Sequence, residues 1–236
     1  MASAGCPVEV WYALVDERDD LALAQDAALL SHDELASAAA FRFEKNRREY
    51  VVAHALTRRL LSHVLGGDPR DWRFERDNRG KPRLQGVARA ARFNLSHSLG
   101  CVACAVSPEH EVGLDVECAR RSVPWDVVDA VFRPEERAAL MQLDPRLRPE
   151  RFFRLWTLKE AYIKACGLGL GAPLQEFGFD LADAGKPKIV IDEALLDPCS
   201  RWQFWTADLP QAHLTSLAVP CGPLPLTVEC RPMQGG

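Results

Sequence analysis

Residues 154–171 read RLWTLKEAYIKACGLGLG, an apolar helix that carries Lys159, Glu160 and Lys164 and then runs into three glycines. Trp156, Tyr162 and Ile163 are packing residues, so three charges on the same segment need a reason. The simplest is a surface ion pair, because Glu160 stands four residues before Lys164, the favourable order for such a pair on a helix. The glycines follow a helix instead of opening one and lack the Walker spacing. They read as a helix stop and a tight turn, not a phosphate loop.

Around this helix the chain alternates between helical and extended patterns. Before it lie the helical stretches WDVVDAVF and PEERAALMQL, and after it the short strands FGFDL, KIVID, RWQFWTADL, HLTSLAVP and PLTVEC. The first half starts with the strand VEVWYALVD. A helix follows in SHDELASAAAFRF, opened by the capping-box pair Ser31 and Glu34. The longer helix NRREYVVAHALTRRLLSHVLGG repeats Val51, Val52, Ala55, Leu56, Leu60 and Val64 at helical spacing and stops at Gly66. WRFER and ARFNLSHS read as strands, and CVACAVSP and EVGLDVEC as two more joined by a hairpin-like reversal at residues 108–110. Each half thus runs from helix to strands. The expectation is an α+β fold of two similar halves, residues 1–110 and 111–236.

Composition narrows the function classes. The 236 residues are 47% hydrophobic and 26% charged with a net charge of -4, as in an ordinary globular protein, which argues against a nucleic-acid or anionic-membrane binder. No run is long enough to span a membrane, and the N-terminus lacks the basic start and apolar stretch of a secretory signal, which predicts a cytoplasmic protein. Cys101 and Cys104 form a CxxC, but with only His97 near and apolar neighbours they read as small core residues of a strand.

Asp115 and Glu117, two apart in VGLDVE, share one face of a strand while Leu114 and Val116 take the other. Two adjacent anions suit a hard cation such as Mg²⁺; the alternative is a solvated face beside the basic residues Arg120 and Arg121. Glu160 offers a third carboxylate, and Lys164 one turn on would aim a cation at the same place. A metal and a lysine together are apparatus for a phosphate or pyrophosphate. Basic residues also gather in the first half: Lys45, Arg47, Arg48 and Arg58 on the long helix, and Arg76, Arg79 and Lys81 around a glycine-bearing loop. NLSHS sets Asn94, Ser96, His97 and Ser98 at a strand end.

In order, RGKPRL (79–84), FNLSHS (93–98), VGLDVE (112–117) and WTLKEAYIK (156–164) resemble the motifs of the 4′-phosphopantetheinyl transferases of the surfactin-synthetase-activator type, in the subgroup marked by WxxKEA. The resemblance covers about residues 40–172. It implies two α+β halves related by a pseudo-twofold axis in a single chain, with coenzyme A in the cleft between them. It also implies transfer of the phosphopantetheine arm to a carrier-protein serine, releasing adenosine 3′,5′-bisphosphate. By the same resemblance Asp115, Glu117 and Glu160 match the metal ligands, with Mg²⁺ expected and Mn²⁺ acceptable. Glu160 also matches the proposed base, and Lys164 the group that neutralises the leaving bisphosphate. Lys45, Arg76, Lys81, Ser96 and His97 match the positions that hold the phosphates and the adenine-ribose end. Lys159 is counted with the ligand-binding set, although holding the helix is an open alternative.

The implied partners are acyl or peptidyl carrier proteins of polyketide, non-ribosomal peptide or fatty-acid synthases, met by a monomer with no nucleic acid and no membrane. Arg133 and Arg137 with Val131, Phe132 and Leu140 offer a carrier-facing patch, unless the three apolar residues are core. A second reading is a non-catalytic coenzyme A-binding module that has kept the pocket.

Overall fold

The computed structural model describes residues 5–77, 80–86, 91–182, 187–191 and 202–234. Its contacts divide the chain into two units, Met1–Glu111 with Leu226–Gly236, and Val112–Pro225. The first unit runs through β1 (Cys6–Leu14), α1 (Asp20–Ala27), α2 (His32–Ala39), α3 (Glu44–Leu65), β2 (Phe74–Arg76), β3 (Pro82–Leu84), β4 (Arg92–Ser98) and β5 (Cys101–Ser107). The second holds β6 (Gly113–Cys118), α4 (Val128–Val131), α5 (Pro134–Gln142), α6 (Arg148–Cys166), β7 (Phe177–Asp180), β8 (Lys188–Ile191), β9 (Gln203–Leu209) and β10 (His213–Val219). The last strand, β11 (Leu226–Pro232), returns to the first unit and pairs parallel with β1. The mixed α+β class is as expected, but the final strand is not in the second half, where a division at residue 111 had placed it.

In the first unit the sheet order is β11-β1-β5-β4, with β2 and β3 forming a separate ribbon. The apolar repeat of α3 lies against this sheet: Val52, Leu56 and Leu60 are buried with Phe93, Val102, Cys104 and Val106. Each such side chain contributes about 1.5–3 kcal/mol by leaving water, so α3 is held by its stripe rather than by propensity. The expected hairpin between CVACAVSP and EVGLDVEC does not form. β5 pairs with β4 and β1, while β6 pairs with β10. The reversal instead lies between β4 and β5, where Leu99 and Gly100 both have positive φ (43° and 81°), as a two-residue hairpin turn requires. A leucine in that conformation gives no turn signal in sequence.

Cys101 and Cys104 are fully buried in β5, and burial pushes the Cys104 thiol up to about 12, as an inert packing residue requires. No disulfide joins the described cysteines. No helix among the described residues is long and apolar enough to cross a membrane.

In the second unit β6, β10 and β9 form an antiparallel sheet, and β7 and β8 a separate hairpin. The helix quoted at the outset, α6, lies across β6 and β10. Its Phe152, Phe153, Leu155, Leu158 and Ala161 join Phe177, Phe179 and Phe204 in one core. Gly167, in the left-handed conformation, ends it. What allows the close seating is Gly113 at the start of β6. A Cβ there would stand 1.9 Å from the Ala161 carbonyl oxygen and 2.4 Å from the Ala165 nitrogen, both backbone atoms that cannot step aside.

The capping box of α2 forms as its sequence predicts, with Ser31 Oγ accepting from the Glu34 nitrogen at 3.3 Å and Glu34 accepting from the Ser31 nitrogen at 2.7 Å. Glu34 does more than cap. It also accepts from the fully buried Arg58 at 2.7 Å and lies 2.8 Å from His54 Nδ1. Arg58 in turn donates to the carbonyls of Pro69 and Trp72. Arg58 is therefore a core residue and no part of a solvated basic face. Burial works to raise the Glu34 pKa, but His54, the Ser31 N–H and Arg58 together outweigh it and bring it down to about 2.

Two predictions follow from these contacts. Gly113→Ala should destabilise the protein by roughly 3 kcal/mol, the upper end of overpacking costs; an unchanged thermal melt would refute the close approach. For Glu34, a depressed folded pKa means stability that is present above the unfolded value of 4.5 and lost as pH falls from there toward 2. Glu34→Gln should therefore be less stable than the parent at pH 7, by up to about 3 kcal/mol at 1.36 kcal/mol per pK unit. That gap should close in denaturant titrations between pH 4.5 and pH 2, and a gap independent of pH would contradict the assignment.

Candidate active site

Strand alternation and the seating of α6 build the acidic site of the second unit. On β6, Leu114 and Val116 are buried on one face, and Asp115 and Glu117 share the other. α6 then brings up Glu160 and, one turn later, Lys164. The Lys164 ammonium donates to Asp115 Oδ1 at 2.6 Å and to the Leu114 carbonyl at 3.3 Å. The expected surface pair between Glu160 and Lys164 is thus not the main contact, since the lysine reaches across to the strand. Glu117 accepts from Arg121 at 2.7 Å.

Burial pushes the Glu160 pKa up, and the negative charges of Asp115 and Glu117 add to that, with Lys164 opposing. Glu160 therefore stands within electrostatic reach of both strand carboxylates. Among the described residues, no three His, Cys, Asp or Glu side chains already enclose one point as a formed metal cage would. The donor set nevertheless has the right chemistry for a hard cation: it is all oxygen, partly desolvated and crowded with like charge. Lys164 supplies one positive charge to that crowd, and a divalent ion would relieve more of it.

Lys159 does not belong with this charged group. It is 1% exposed, and its ammonium donates to the Leu174 and Phe177 carbonyls at 2.9 and 2.5 Å and pairs with Glu136 at 2.9 Å. The rings of Phe177 and Phe132 face it at 4.8 and 5.8 Å. The expectation that it binds the cofactor is corrected: it lies one position from Glu160 on the helix, and that 100° turn aims it into the core. Val131, Phe132 and Leu140 are likewise buried, which settles them as core and removes them from the carrier-facing patch. Arg137 pairs with Asp129 and Arg133 with Glu135, both on the surface.

The first unit carries the basic candidates. Lys81 is held on the ribbon by Asp77, which accepts from its backbone N–H, while its ammonium donates to Glu111 at 3.1 Å. Arg83 and Arg92 reach the other Glu111 oxygen at 2.6 and 2.8 Å, so three cations share one carboxylate. Burial pulls the Lys81 pKa down, against the pull of Glu111. Sequence reading missed Arg83, Arg92 and Glu111, although Arg83 sits inside the RGKPRL motif. Ser96 and His97 point to opposite faces of β4: Ser96 is buried, whereas the His97 ring is 62% exposed, 3.3 Å from Glu49. The His97 imidazole lowers the Glu49 pKa, against burial, and Lys45 contributes to the same lowering. Lys45 is exposed in the first turn of α3, and Arg76 is exposed and donates to the Gly80 carbonyl at 2.9 Å. Arg47 and Arg48 are tied to Glu44 and Asp20. Arg79 lies outside the described residues.

Two family models match the chain. The model described as the 4′-phosphopantetheinyl transferase superfamily covers residues 111–218, and that of a 4′-phosphopantetheinyl transferase N-terminal region covers residues 18–109. Among curated proteins, the chain is 35% identical to the 4′-phosphopantetheinyl transferase HetI of Nostoc sp., over 77% of each chain. It is 30% identical to a 4′-phosphopantetheinyl transferase of Bacillus subtilis, over 70% of this chain and 75% of the relative. With Sfp of Bacillus subtilis the identity is 28%, over 67% of this chain and 69% of the relative. With the acids of β6 and the charged helix α6 inside the first matched region, the chain belongs to the 4′-phosphopantetheinyl transferase superfamily.

Proposed function

We propose that this protein transfers the 4′-phosphopantetheine arm of coenzyme A to a serine of an acyl or peptidyl carrier protein and releases adenosine 3′,5′-bisphosphate. The observation that carries the reading is the meeting of Asp115, Glu160 and Lys164 in one charged group at the junction of β6 and α6. Family membership supplies the reaction class. The WxxKEA form of 156–161 favours the surfactin-synthetase-activator type, with two related halves, and carrier domains of polyketide, non-ribosomal peptide or fatty-acid synthases as acceptors.

The roles follow from charge and placement. Asp115, Glu117 and Glu160 would hold Mg²⁺, or Mn²⁺, which when bound offsets the charge on the pyrophosphate. The serine oxygen forms a bond to the phosphorus that carries the pantetheine, and the bond from that phosphorus to the leaving bisphosphate breaks. The serine proton passes to Glu160 through a water, because a carboxylate engaged by a metal is a weak base for direct transfer. Lys164 leaves Asp115 for the departing phosphate and neutralises it, which its flexible four-carbon stem allows. Lys81, with Lys45, Arg76, Ser96 and His97, takes the 3′-phosphate and adenine-ribose end. Arg83 and Arg92 keep Glu111 occupied, so that Lys81 can shift to a phosphate without leaving that carboxylate unpaired.

Incubation with a fluorescent coenzyme A, Mg²⁺ and a panel of apo carrier proteins should label a carrier serine, and a chelator should abolish the label. Asp115→Ala should lower kcat by at least about 10²-fold, the scale of losing one electrostatic contact to the transition state, with an intact circular-dichroism spectrum. Lys81→Ala should raise KM for coenzyme A about tenfold at near-native kcat, as expected for a contact made equally in ground and transition states. Label that persists in chelator, or native turnover by the Asp115 variant, would sink the metal assignment.

A further inference from the structure

Lys159 and Glu136 form a buried ion pair in the second unit. Withdrawing an ammonium and a carboxylate from water costs about as much as the pair returns, and apolar side chains of equal volume often serve stability as well or better. Yet the ammonium is met by three oxygens from three separate places: Glu136 in the first turn of α5, Leu174 in the turn before β7, and Phe177 on β7 itself. Glu136 is fixed in turn. Its Oε2 accepts from the Arg133 N–H at 2.9 Å and its Oε1 from the Phe179 N–H at 2.8 Å. Gly178 lies so close that a Cβ there would come 2.9 Å from the Glu136 carboxyl carbon. Every polar atom of the pair has a defined partner, and the partners belong to elements other than α6.

This clamp and the Gly113 contact grip α6 from opposite sides. At 100° per residue, Ala161 lies about 200° round the helix from Lys159, and Ala165 about 240°. Glu160, about 100° from Lys159, and Lys164, about 140° from it, fall between the two grips. At a side-chain radius of roughly 6 Å, a helix rotation of about 10° moves a carboxylate by about 1 Å. Displacements of that size can cost about 10²-fold in rate. We propose that Lys159 and Glu136 are positioning residues, an ion pair that sets the rotation of α6 and through it the place of Glu160 beside Asp115. The inference rests on the reading of Glu160 as an active carboxylate and adds that its neighbour in the motif never meets the substrate.

The test uses the full chain with Lys159→Met, Glu136→Gln, the two combined, and Glu160→Gln. Three quantities are read for each: the thermal melt, kcat with KM for coenzyme A, and Mn²⁺ affinity by electron paramagnetic resonance in the presence of coenzyme A. Each single clamp variant should lose about 10–100-fold in kcat and in Mn²⁺ affinity, the usual scale for residues that orient a metal ligand, while KM for coenzyme A stays within about threefold of the parent. The combined variant should be no worse than the poorer single one, because the two groups act as a unit. Should a single variant fail to fold, the combined variant, which leaves no lone buried charge, carries the decision: reduced kcat and Mn²⁺ affinity support the proposal, and native values overturn it. A purely structural pair would lower the melt and leave Mn²⁺ affinity alone. A lysine that meets the ligand would raise KM for coenzyme A in Lys159→Met while Glu136→Gln kept its native KM. Either result overturns the proposal. Native transfer and Mn²⁺ binding by Glu160→Gln would instead overturn the reading of the site, whatever the clamp variants do.

Discussion

The second unit depends on a helix lying against a strand at a distance no side chain permits. Gly113 gives α6 a bare stretch of backbone to rest on, and the carbonyl of Ala161 and the nitrogen of Ala165 occupy the space its Cβ would need. Everything chemical in that unit follows from this approach. Lys164 can reach Asp115 only because α6 lies this low over β6, and Glu160 feels the charges of Asp115 and Glu117 for the same reason. The glycine of VGLDVE is thus a packing residue that decides where the acidic group and Lys164 meet.

Charge is handled differently in the two units. In the second, three carboxylates are crowded together and Lys164 and Arg121 only partly compensate, so the group keeps an excess of negative charge. In the first, cations are crowded onto Glu111, and the excess is positive. Neither excess shows in the overall charge of -4, which averages them away.

Much of the fold was legible because it rests on local rules. The capping box at Ser31, the apolar stripe of α3, the alternation of Asp115 and Glu117 on β6 and the glycine stop after Cys166 are each set within a few residues. What escaped depends on distant partners. Nothing around residue 99 announces a turn, since leucine has no preference for positive φ. Nothing in PLTVEC tells a strand that pairs with β1, more than two hundred residues earlier, from one that pairs with a near neighbour. The site divides the same way. Asp115, Glu160 and Lys164 were readable from spacing and family motif, whereas the fates of Lys159 and Arg58 were not. A charged residue in a sequence reads as solvated until its buried counter-charge is known, and Glu136 and Glu34 lie 23 and 24 residues away from the groups they neutralise.

The pairing of β11 with β1 has a bearing on how the chain is made. Because β11 follows the whole second unit in the chain, that unit is an insertion between two parts of the first. During synthesis the α6 site can be assembled while β1 still has one edge uncovered, an open row of N–H and C=O groups of the kind that recruits foreign strands. The first unit therefore finishes last, and the open edge of β1 is covered only when residues 226–232 leave the ribosome. Parallel pairing across such a separation is slow to form, so the nascent chain presents a completed second unit and an unfinished first one for as long as that closure takes.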